Sequence, residues 1–298
     1  MAVRQMDPRE TAWRPARLAR RFSPRPASRL VLLSYLLLGL GSVATLFPFA
    51  WMISTSLKAN QYVMQVPPQW IPDPIVWRNY VDIWDLVPLA SGFRNSATVA
   101  VLGTIGVLFA SSLAGFAFAK LDFPGRNVLF MVTLSTMMLP DAVLLVPQFI
   151  LFRELGWIDT LRPLIVPSFF GAAFETFFFR QYFRTIPDDL IDAAEVDGAS
   201  FFHIYRAIVL PLSGPVLITL GLFAFMWRWN DYMGPLIYLH HPEKQTLPVL
   251  ISTFQSQYTS DFPRMMAVAV LSILPIIILF FLMQRRFIEG IALTGMKG

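Results

Sequence analysis

Four polar side chains lie inside stretches of the sequence that are otherwise strongly apolar. They are Asp141, Glu175, Asn230 and Asp231. Carboxylates and amides exchange hydrogen bonds with hydroxyl groups, while aromatic rings such as Trp227 and Tyr232, which flank the last two, suit the C–H faces of sugars. Ionisable groups in an apolar membrane environment mark solute or proton pathways by default. These four residues are therefore candidates for contact with a transported solute.

The same residues admit a structural interpretation. Arg228 precedes Asp231 by one helical turn, so the two side chains could pair along one helix face. Placement close to the membrane–water interface would also lower the cost of their charges. The sequence alone leaves both interpretations open.

A second group of polar residues is acidic and clusters in one stretch of the second half of the chain. It comprises Asp188, Asp189, Asp192, Glu195 and Asp197. Thr185 is predicted to cap a helix that has Pro187 in its first turn, since proline and acidic residues both favour a helix start. Gly198 is predicted to end that helix because glycine tolerates a positive φ. Ser200 is predicted to cap a second short helix that ends near Pro211.

The surface of this bent element suits a protein partner. Ala193 and Ala194 leave a low face for close packing, and the carboxylates invite a basic groove on a soluble protein. An ordinary solvated helix between two membrane segments is the alternative interpretation.

Composition indicates the class of protein in which these polar residues lie. The 298 residues are 55% hydrophobic and 14% charged, and their mean hydropathy is +0.56. Soluble domains carry about 25% charged residues, so the composition argues against a water-soluble enzyme and against a disordered chain. The chain has no cysteine and three scattered histidines, which excludes thiolate sites and argues against a metal centre.

About 20 apolar residues are needed to cross a bilayer, and six segments meet this requirement. They are residues 30–53, 96–119, 128–152, 163–183, 212–238 and 265–283. This pattern predicts an all-α integral membrane protein whose six transmembrane helices form a domain over residues 30–298. Small residues at positions 110, 111, 114 and 115 predict close packing of the second helix. The acidic stretch then connects the fourth and fifth helices.

The basic tail at residues 1–29 orients the chain. It holds eight arginines against Asp7 and Glu10, and the positive-inside rule places such a tail in the cytoplasm. The other 16 Lys and Arg residues divide equally between the two sides, so the loops alone indicate little about orientation. An even number of spans returns the C-terminus to the cytoplasm. The Trp- and Pro-containing segment 54–92 is then extracytoplasmic, either as an interfacial loop or as a docking surface for an external partner.

One motif in the acidic stretch resembles the cytoplasmic loop of binding-protein-dependent ABC importer permeases, which forms their coupling helix. The matching residues are Asp192, Ala193, Ala194, Asp197, Gly198, Ala199 and Pro211. In that family the first residue of the motif is usually Glu, and Asp192 keeps the carboxylate with one methylene fewer. Further motifs are similar to the carbohydrate-type, maltose-permease-like subgroup. They lie at residues 48–51, 55–58, 93–96, 118–126, 229–232, 284–290 and 297–298.

The resemblance implies a permease subunit of an ATP-driven importer for a sugar or sugar-like solute, not an enzyme. A second homologous permease would form the other half of the pathway in the bacterial or archaeal inner membrane, surrounded by lipid. Two ABC ATPase subunits would bind the coupling loop, and an extracytoplasmic solute-binding protein would deliver the solute. ATP and magnesium would be held by the ATPase, and the chain itself would bind neither cofactor, metal nor nucleic acid.

Three alternatives remain at this point. A permease of the same superfamily could carry glycerol phosphate or another non-sugar solute. A proton-coupled secondary transporter could use Asp141 and Glu175 as a carboxylate relay. A membrane-embedded enzyme would need histidines or carboxylates clustered at one depth, whereas His203 is separated from His240 and His241 along the chain.

Overall fold

The computed structural model of the protein describes residues 29–258 and 261–295 of the 298. Within these ranges all regular elements are helices, which confirms the predicted all-α class. The chain divides into two compact units, Met1–Phe49 and Ala50–Gly298.

In the first unit the described residues belong to helix α1 (Arg29–Ser56), which extends into the second unit. Residues Val31–Ser56 have the length and hydropathy of a membrane span. Every described side chain from 31 to 49 is exposed. An apolar helix surface of this kind is stable against lipid or against another membrane protein.

The second unit contains twelve further helices within the described residues. They are α2 (Asn79–Leu86), α3 (Leu89–Lys120), α4 (Arg126–Ser135), α5 (Asp141–Glu154), α6 (Arg162–Ile165), α7 (Ala173–Phe183), α8 (Asp188–Val196), α9 (Phe201–Leu212), α10 (Gly214–Trp229), α11 (Met233–Tyr238), α12 (Leu247–Gln257) and α13 (Phe262–Gly295). Helix α9 includes a π-helical turn at Tyr205–Val209.

Helix α3 is the central element of this unit and packs against α7, α10 and α12. One buried apolar cluster surrounds its first half and includes Ala100, Trp229 and Phe254. A second cluster surrounds its last turns and includes Phe116 and Phe179. Both clusters use α3, so one continuous helix of about 48 Å connects them.

The small residues of α3 mark its closest contacts. A Cβ atom added at Gly103 would lie 2.5 Å from Nε of Arg228, and one added at Gly115 would lie 2.6 Å from Cβ of Phe179. Ser111 is buried, and its Oγ accepts a hydrogen bond from the backbone N–H of Ala172 at 2.9 Å. Small side chains here let neighbouring backbones approach closely.

The number of membrane-crossing helices differs from the prediction. Among the described residues, three helices are long and apolar enough to cross a membrane, and two bent pairs raise the number to five if each pair is one span. The pairs are Arg126–Met138 with Asp141–Glu154, bent by 98°, and Phe201–Leu212 with Gly214–Trp229, bent by 81°. The prediction of six continuous spans is therefore not confirmed.

The predicted fourth span, residues 163–183, is the segment that fails the length criterion. It consists of α6, a 3-10 turn at Val166–Phe170, and α7. Gly171 separates the last two with φ +83°, a conformation that no α-helix contains. Helix α7 has 11 residues and is about 16 Å long, far less than the roughly 30 Å of a bilayer core.

Two other predicted spans are interrupted. The segment predicted at 128–152 bends at Pro140, whose ψ of 132° is extended rather than helical. The segment predicted at 212–238 ends as a continuous helix at Trp229, and α11 follows as a separate short helix. Proline disfavours the helical conformation in the residue before it, and Leu139 accordingly has an extended ψ of 119° at the first break.

Candidate functional site

The acidic bend predicted from the sequence is present, and we call α8 and α9 together the elbow. Gly198 joins the two helices with φ +78°. Its N–H donates to the carbonyl of Glu195 and the N–H of Ala199 donates to the carbonyl of Ala194, both at 2.9 Å. This pair of bonds is the Schellman motif, which closes a helix through a left-handed residue.

One of the two predicted helix caps is confirmed and the other is wrong. Ser200 Oγ accepts the N–H of His203 at 3.3 Å and so caps α9. Thr185 does not cap α8, because its hydroxyl donates to the carbonyl of Tyr182 at the end of α7. Helix α8 instead begins after Pro187, with two aspartates in its first turn.

The elbow presents a surface that is both acidic and apolar. All five of its carboxylates are exposed, at Asp188, Asp189, Asp192, Glu195 and Asp197. Val196 is 88% exposed and Phe202 is 59% exposed, whereas Ile191 is buried in the core cluster that includes Phe179. Ala193 is exposed and Ala194 is half-buried. An exposed apolar patch with acidic neighbours is typical of a surface that another protein covers.

The residues predicted to line a solute pathway are partly brought together. Asp141 is the first residue of α5, and Glu175 lies in the first turn of α7. The guanidinium of Arg228 lies within electrostatic range of Glu175 and Asp231, and Asp231 lies within range of Asp141. Arg228 therefore lies near two of the predicted carboxylates, and the third, Asp141, lies near Asp231. Asn230 is exposed and donates to the carbonyl of Met226.

Arg228 is not paired with Asp231 as one interpretation of the sequence suggested. Within the described part of the chain, no ion pair joins them; Nη2 of Arg228 donates to Ser168 Oγ at 3.0 Å and Nη1 to the carbonyl of Ala224. Asp231 instead accepts the backbone N–H of Gly234 at 3.2 Å. No pattern in the sequence indicated Ser168, which lies 60 positions before Arg228.

A cleft of about 420 Å³ opens beside this region, between the end of α10 and helices α12 and α13. Its polar lining includes Asn230, Tyr232, Ser252 and Gln255, and the exposed ring of Tyr232 supplies aromatic surface, whereas Trp229 also lines the cleft but is only 4% exposed. The hydroxyl groups of Tyr232 and Ser252 lie 3.3 Å apart. The cleft combines hydrogen-bonding groups with aromatic surface, the chemistry expected of a site that contacts sugars.

The motifs at residues 48–51 and 55–58 meet in space at Trp51 and Lys58. The ammonium of Lys58 lies 4.1 Å from the centre of the Trp51 ring, a cation–π contact. Lys58 is 1% exposed, and no hydrogen-bond acceptor among the described residues reaches its Nζ. Burial lowers the pKa of Lys58. Asn79 holds the backbone here by donating to the carbonyls of Ser56 and Lys58.

An aspartate that the sequence did not single out connects two loops. Asp159 adopts a positive φ of 62° and accepts the backbone N–H groups of His240 and His241. The ammonium of Lys244 donates to the same carboxylate at 2.6 Å. These hydrogen bonds, led by that of Lys244, hold the pKa of Asp159 well below its usual range.

The sequence of this chain is similar to a family model and to several known proteins. The family model described as "Binding-protein-dependent transport system inner membrane component" matches residues 106–292, which include the elbow. The arabinooligosaccharides transport system permease protein AraQ of Halalkalibacterium halodurans is 33% identical over 273 residues, covering 90% of this chain and 98% of its own.

Two further relatives and one solved structure are also named as transport proteins. The lactose transport system permease protein LacG of Rhizobium radiobacter is 30% identical and covers 87% of this chain and 94% of its own. The sn-glycerol-3-phosphate transport system permease protein UgpE of Pectobacterium atrosepticum is 32% identical and covers 88% and 96%. The crystal structure of a bacterial ABC transporter that imports the acidic polysaccharide alginate aligns with a TM-score of 0.76 at 25% identity, covering 87% of this chain and 96% of that chain.

Proposed function

We propose that this chain, which belongs to the family of binding-protein-dependent transport system inner membrane components, carries a sugar or sugar-like solute. Members of this family are transport subunits of ABC importers, so the chain is a transport subunit and not an enzyme. The proposal draws on the relatives AraQ and LacG, whose names specify arabinooligosaccharides and lactose. It also draws on the cleft lined by Asn230 and Tyr232, which offers partners for hydroxyl groups and an exposed aromatic ring.

Membership of this family implies an ATPase and a solute-binding protein as partners. We propose in addition that a second homologous permease forms the other half of the pathway and that two ATPase subunits bind at the cytoplasmic face. In this arrangement both termini are cytoplasmic, and ATP and magnesium are bound by the ATPase subunits. The arginine-rich tail supports the orientation through the positive-inside rule.

We propose that the elbow is the surface on which the ATPase docks. The observation that carries this proposal is the combination of exposed carboxylates with exposed Val196 and Phe202 on a helix pair joined by a Schellman motif. The coupling residues are those of the motif: Asp192, Ala193, Ala194, Asp197, Gly198, Ala199 and Pro211. The carboxylates of the elbow favour a partner protein whose groove is lined with basic residues, and they steer the approach of that partner.

Cross-linking tests the docking surface directly. The chain has no cysteine, so a thiol-reactive cross-linker attaches to this subunit only at a cysteine introduced in place of Val196. We expect Val196→Cys to cross-link to the ATPase in assembled transporter. Val128→Cys, which replaces a 67% exposed valine in α4, is the matched control and is expected to give no such product. Equal cross-linking at both positions, or none at Val196, would contradict docking at the elbow.

We propose that Asp141, Glu175, Asn230 and Asp231 line the solute pathway. Arg228 supports this proposal, because its charge interacts with two of these residues, Glu175 and Asp231, in an otherwise apolar region. A charge in such surroundings is costly unless it has partners, so the cluster is expected to serve transport.

Removing the arginine tests this pathway. Arg228→Met removes a cation that interacts with Glu175 and Asp231, and we expect uptake into vesicles to fall by about tenfold or more. The measurement is ATP-driven solute uptake at matched amounts of assembled transporter. Arg153→Met removes an exposed arginine that pairs with Glu154 and is expected to leave uptake unchanged. Normal uptake by Arg228→Met would remove the cluster from the pathway.

The energy source and the solute class are tested together in vesicles that contain the complete transporter. We expect uptake to require ATP, the ATPase and the binding protein, and to favour sugars over glycerol phosphate in a panel of solutes. Uptake driven by a proton gradient without ATP would overturn the proposal. Preference for glycerol phosphate would keep the importer but change its solute, an outcome that the 32% identity to UgpE makes worth measuring.

A further inference from the structure

A buried lysine joins the end of α3 to the beginning of the elbow. The side chain of Lys120 is 3% exposed, although it lies in the last turn of a helix that ends at a loop. Its Nζ donates to the backbone carbonyl of Ile186 and to Oδ1 of Asp188, both at 2.6 Å. The two acceptors stand on either side of Pro187, immediately before and at the start of α8.

This arrangement fixes the elbow more tightly than apolar packing alone. Hydrophobic contacts such as those of Ile191 are non-directional, whereas two short hydrogen bonds from one ammonium define both position and direction. Pro187 restricts the backbone between the two acceptors because its φ is locked. The ammonium of Lys120 also lowers the pKa of Asp188, chiefly through their hydrogen bond.

The other end of the connection is the pathway region. Helix α3 runs without interruption from Lys120 back to Gly103, a distance of about 25 Å. At Gly103 the missing side chain makes room for Arg228, whose Nε would lie 2.5 Å from an added Cβ. One continuous helix thus contacts the elbow at one end and Arg228 further along.

We propose that Lys120 is a positioning residue for coupling: it binds the start of the elbow to α3, so that movement of the docked elbow is transmitted to the region of Arg228. The inference rests on the proposed docking of the ATPase at the elbow. Lys120 contacts neither solute nor nucleotide in this mechanism, and it acts through the carbonyl of Ile186 and the carboxylate of Asp188.

The test uses the assembled transporter with its ATPase and binding protein, and it measures solute molecules imported per ATP hydrolysed. Lys120→Met keeps the length of the buried stem but removes both hydrogen bonds, and we expect this ratio to fall about tenfold while ATP hydrolysis continues. Lys120→Arg retains donors and is expected to keep most of the coupling. Asp188→Ala removes one of the two bonds and is expected to cause a smaller fall.

A double variant separates this contact from general damage to the fold. If Asp188 acts through Lys120, Lys120→Met combined with Asp188→Ala should couple no worse than Lys120→Met alone. Asp122→Ala is the matched control. Asp122 lies in the loop after α3, and its Oδ1 pairs with Nη1 of Arg126 at 2.6 Å, the same distance as between Lys120 and Asp188. That variant is expected to pump normally. Additive losses in the double variant would overturn the proposal.

Cross-linking at Val196 distinguishes failure of this inference from failure of docking. Absence of the cross-link in the otherwise unaltered chain would overturn docking itself. A normal cross-link together with normal coupling in Lys120→Met would leave docking intact and overturn the role of Lys120. Loss of the cross-link in Lys120→Met would also overturn it, since Lys120 would then maintain the shape of the elbow without transmitting its movement.

Discussion

Gly198→Val is expected to reduce ATP-driven uptake by at least about tenfold while the assembled transporter continues to hydrolyse ATP. Gly198 has φ +78°, and a β-branched residue is strongly disfavoured in that conformation. A Cβ atom added there would meet nothing within 4 Å, so the effect comes from the backbone and not from a clash. Relief of the strain must open the Schellman motif and change the angle between α8 and α9. Parallel measurements of uptake and ATP hydrolysis in vesicles test this result.

Gly125 provides the matched control for that experiment. It has φ +79°, an added Cβ there also meets nothing within 4 Å, and it precedes α4 in the loop near Lys120. Gly125→Val therefore imposes the same backbone strain outside the elbow, and we expect it to keep its coupling. Gly198→Asn should fall between valine and glycine, because asparagine tolerates the left-handed region better. Equal uncoupling by both valine variants would contradict a special role for Gly198.

Gly115→Leu is expected to disrupt the packing of α3 on α7 and to cost more than the roughly 1–3 kcal/mol typical of overpacked cores. A Cβ atom alone would lie 2.6 Å from Cβ of Phe179 and 3.1 Å from the backbone nitrogen of Arg180. Backbone cannot rotate away as a flexible side chain can, so the two helices must separate. The expected result is a large fall in the thermal midpoint of the purified transporter and in its yield.

Gly41→Leu is the control for this substitution. Gly41 lies within α1, and an added Cβ there meets nothing within 4 Å. Since leucine favours helix more than glycine does, this variant is expected to retain or slightly raise stability. A similar loss of stability in both variants would show that leucine is harmful at any helical glycine of this chain, and would contradict the packing argument for Gly115.

The elbow was predictable because its signals are local. Gly198 ends α8 and Ser200 caps α9 through residues no more than five positions away, so the pattern of residue types was sufficient. Thr185 was misassigned because its hydroxyl had a competing local acceptor in Tyr182. The all-α class followed from composition, since only helices and closed barrels satisfy the backbone within a bilayer.

The break at Gly171 could not be predicted in the same way. Hydropathy averages residue types over a window, and the segment around Gly171 is apolar on both sides of the break. The break is stabilised by Ser111, whose hydroxyl accepts the N–H of Ala172 and lies 61 positions away. Arg228 shows the same limit, because its partner Ser168 and the space provided by Gly103 come from distant parts of the chain.

The 81° bend between α9 and α10 has a mechanical consequence. Helix α9 stands nearly at right angles to α10, so a force applied at Phe201 acts as a torque about the axis of α10. An arm of these 12 residues is about 18 Å long, and a sideways push of about 3 Å at its tip would rotate α10 by roughly 10°. Side chains such as Trp227 would then sweep sideways by about 1 Å, without any bond within α10 having to break.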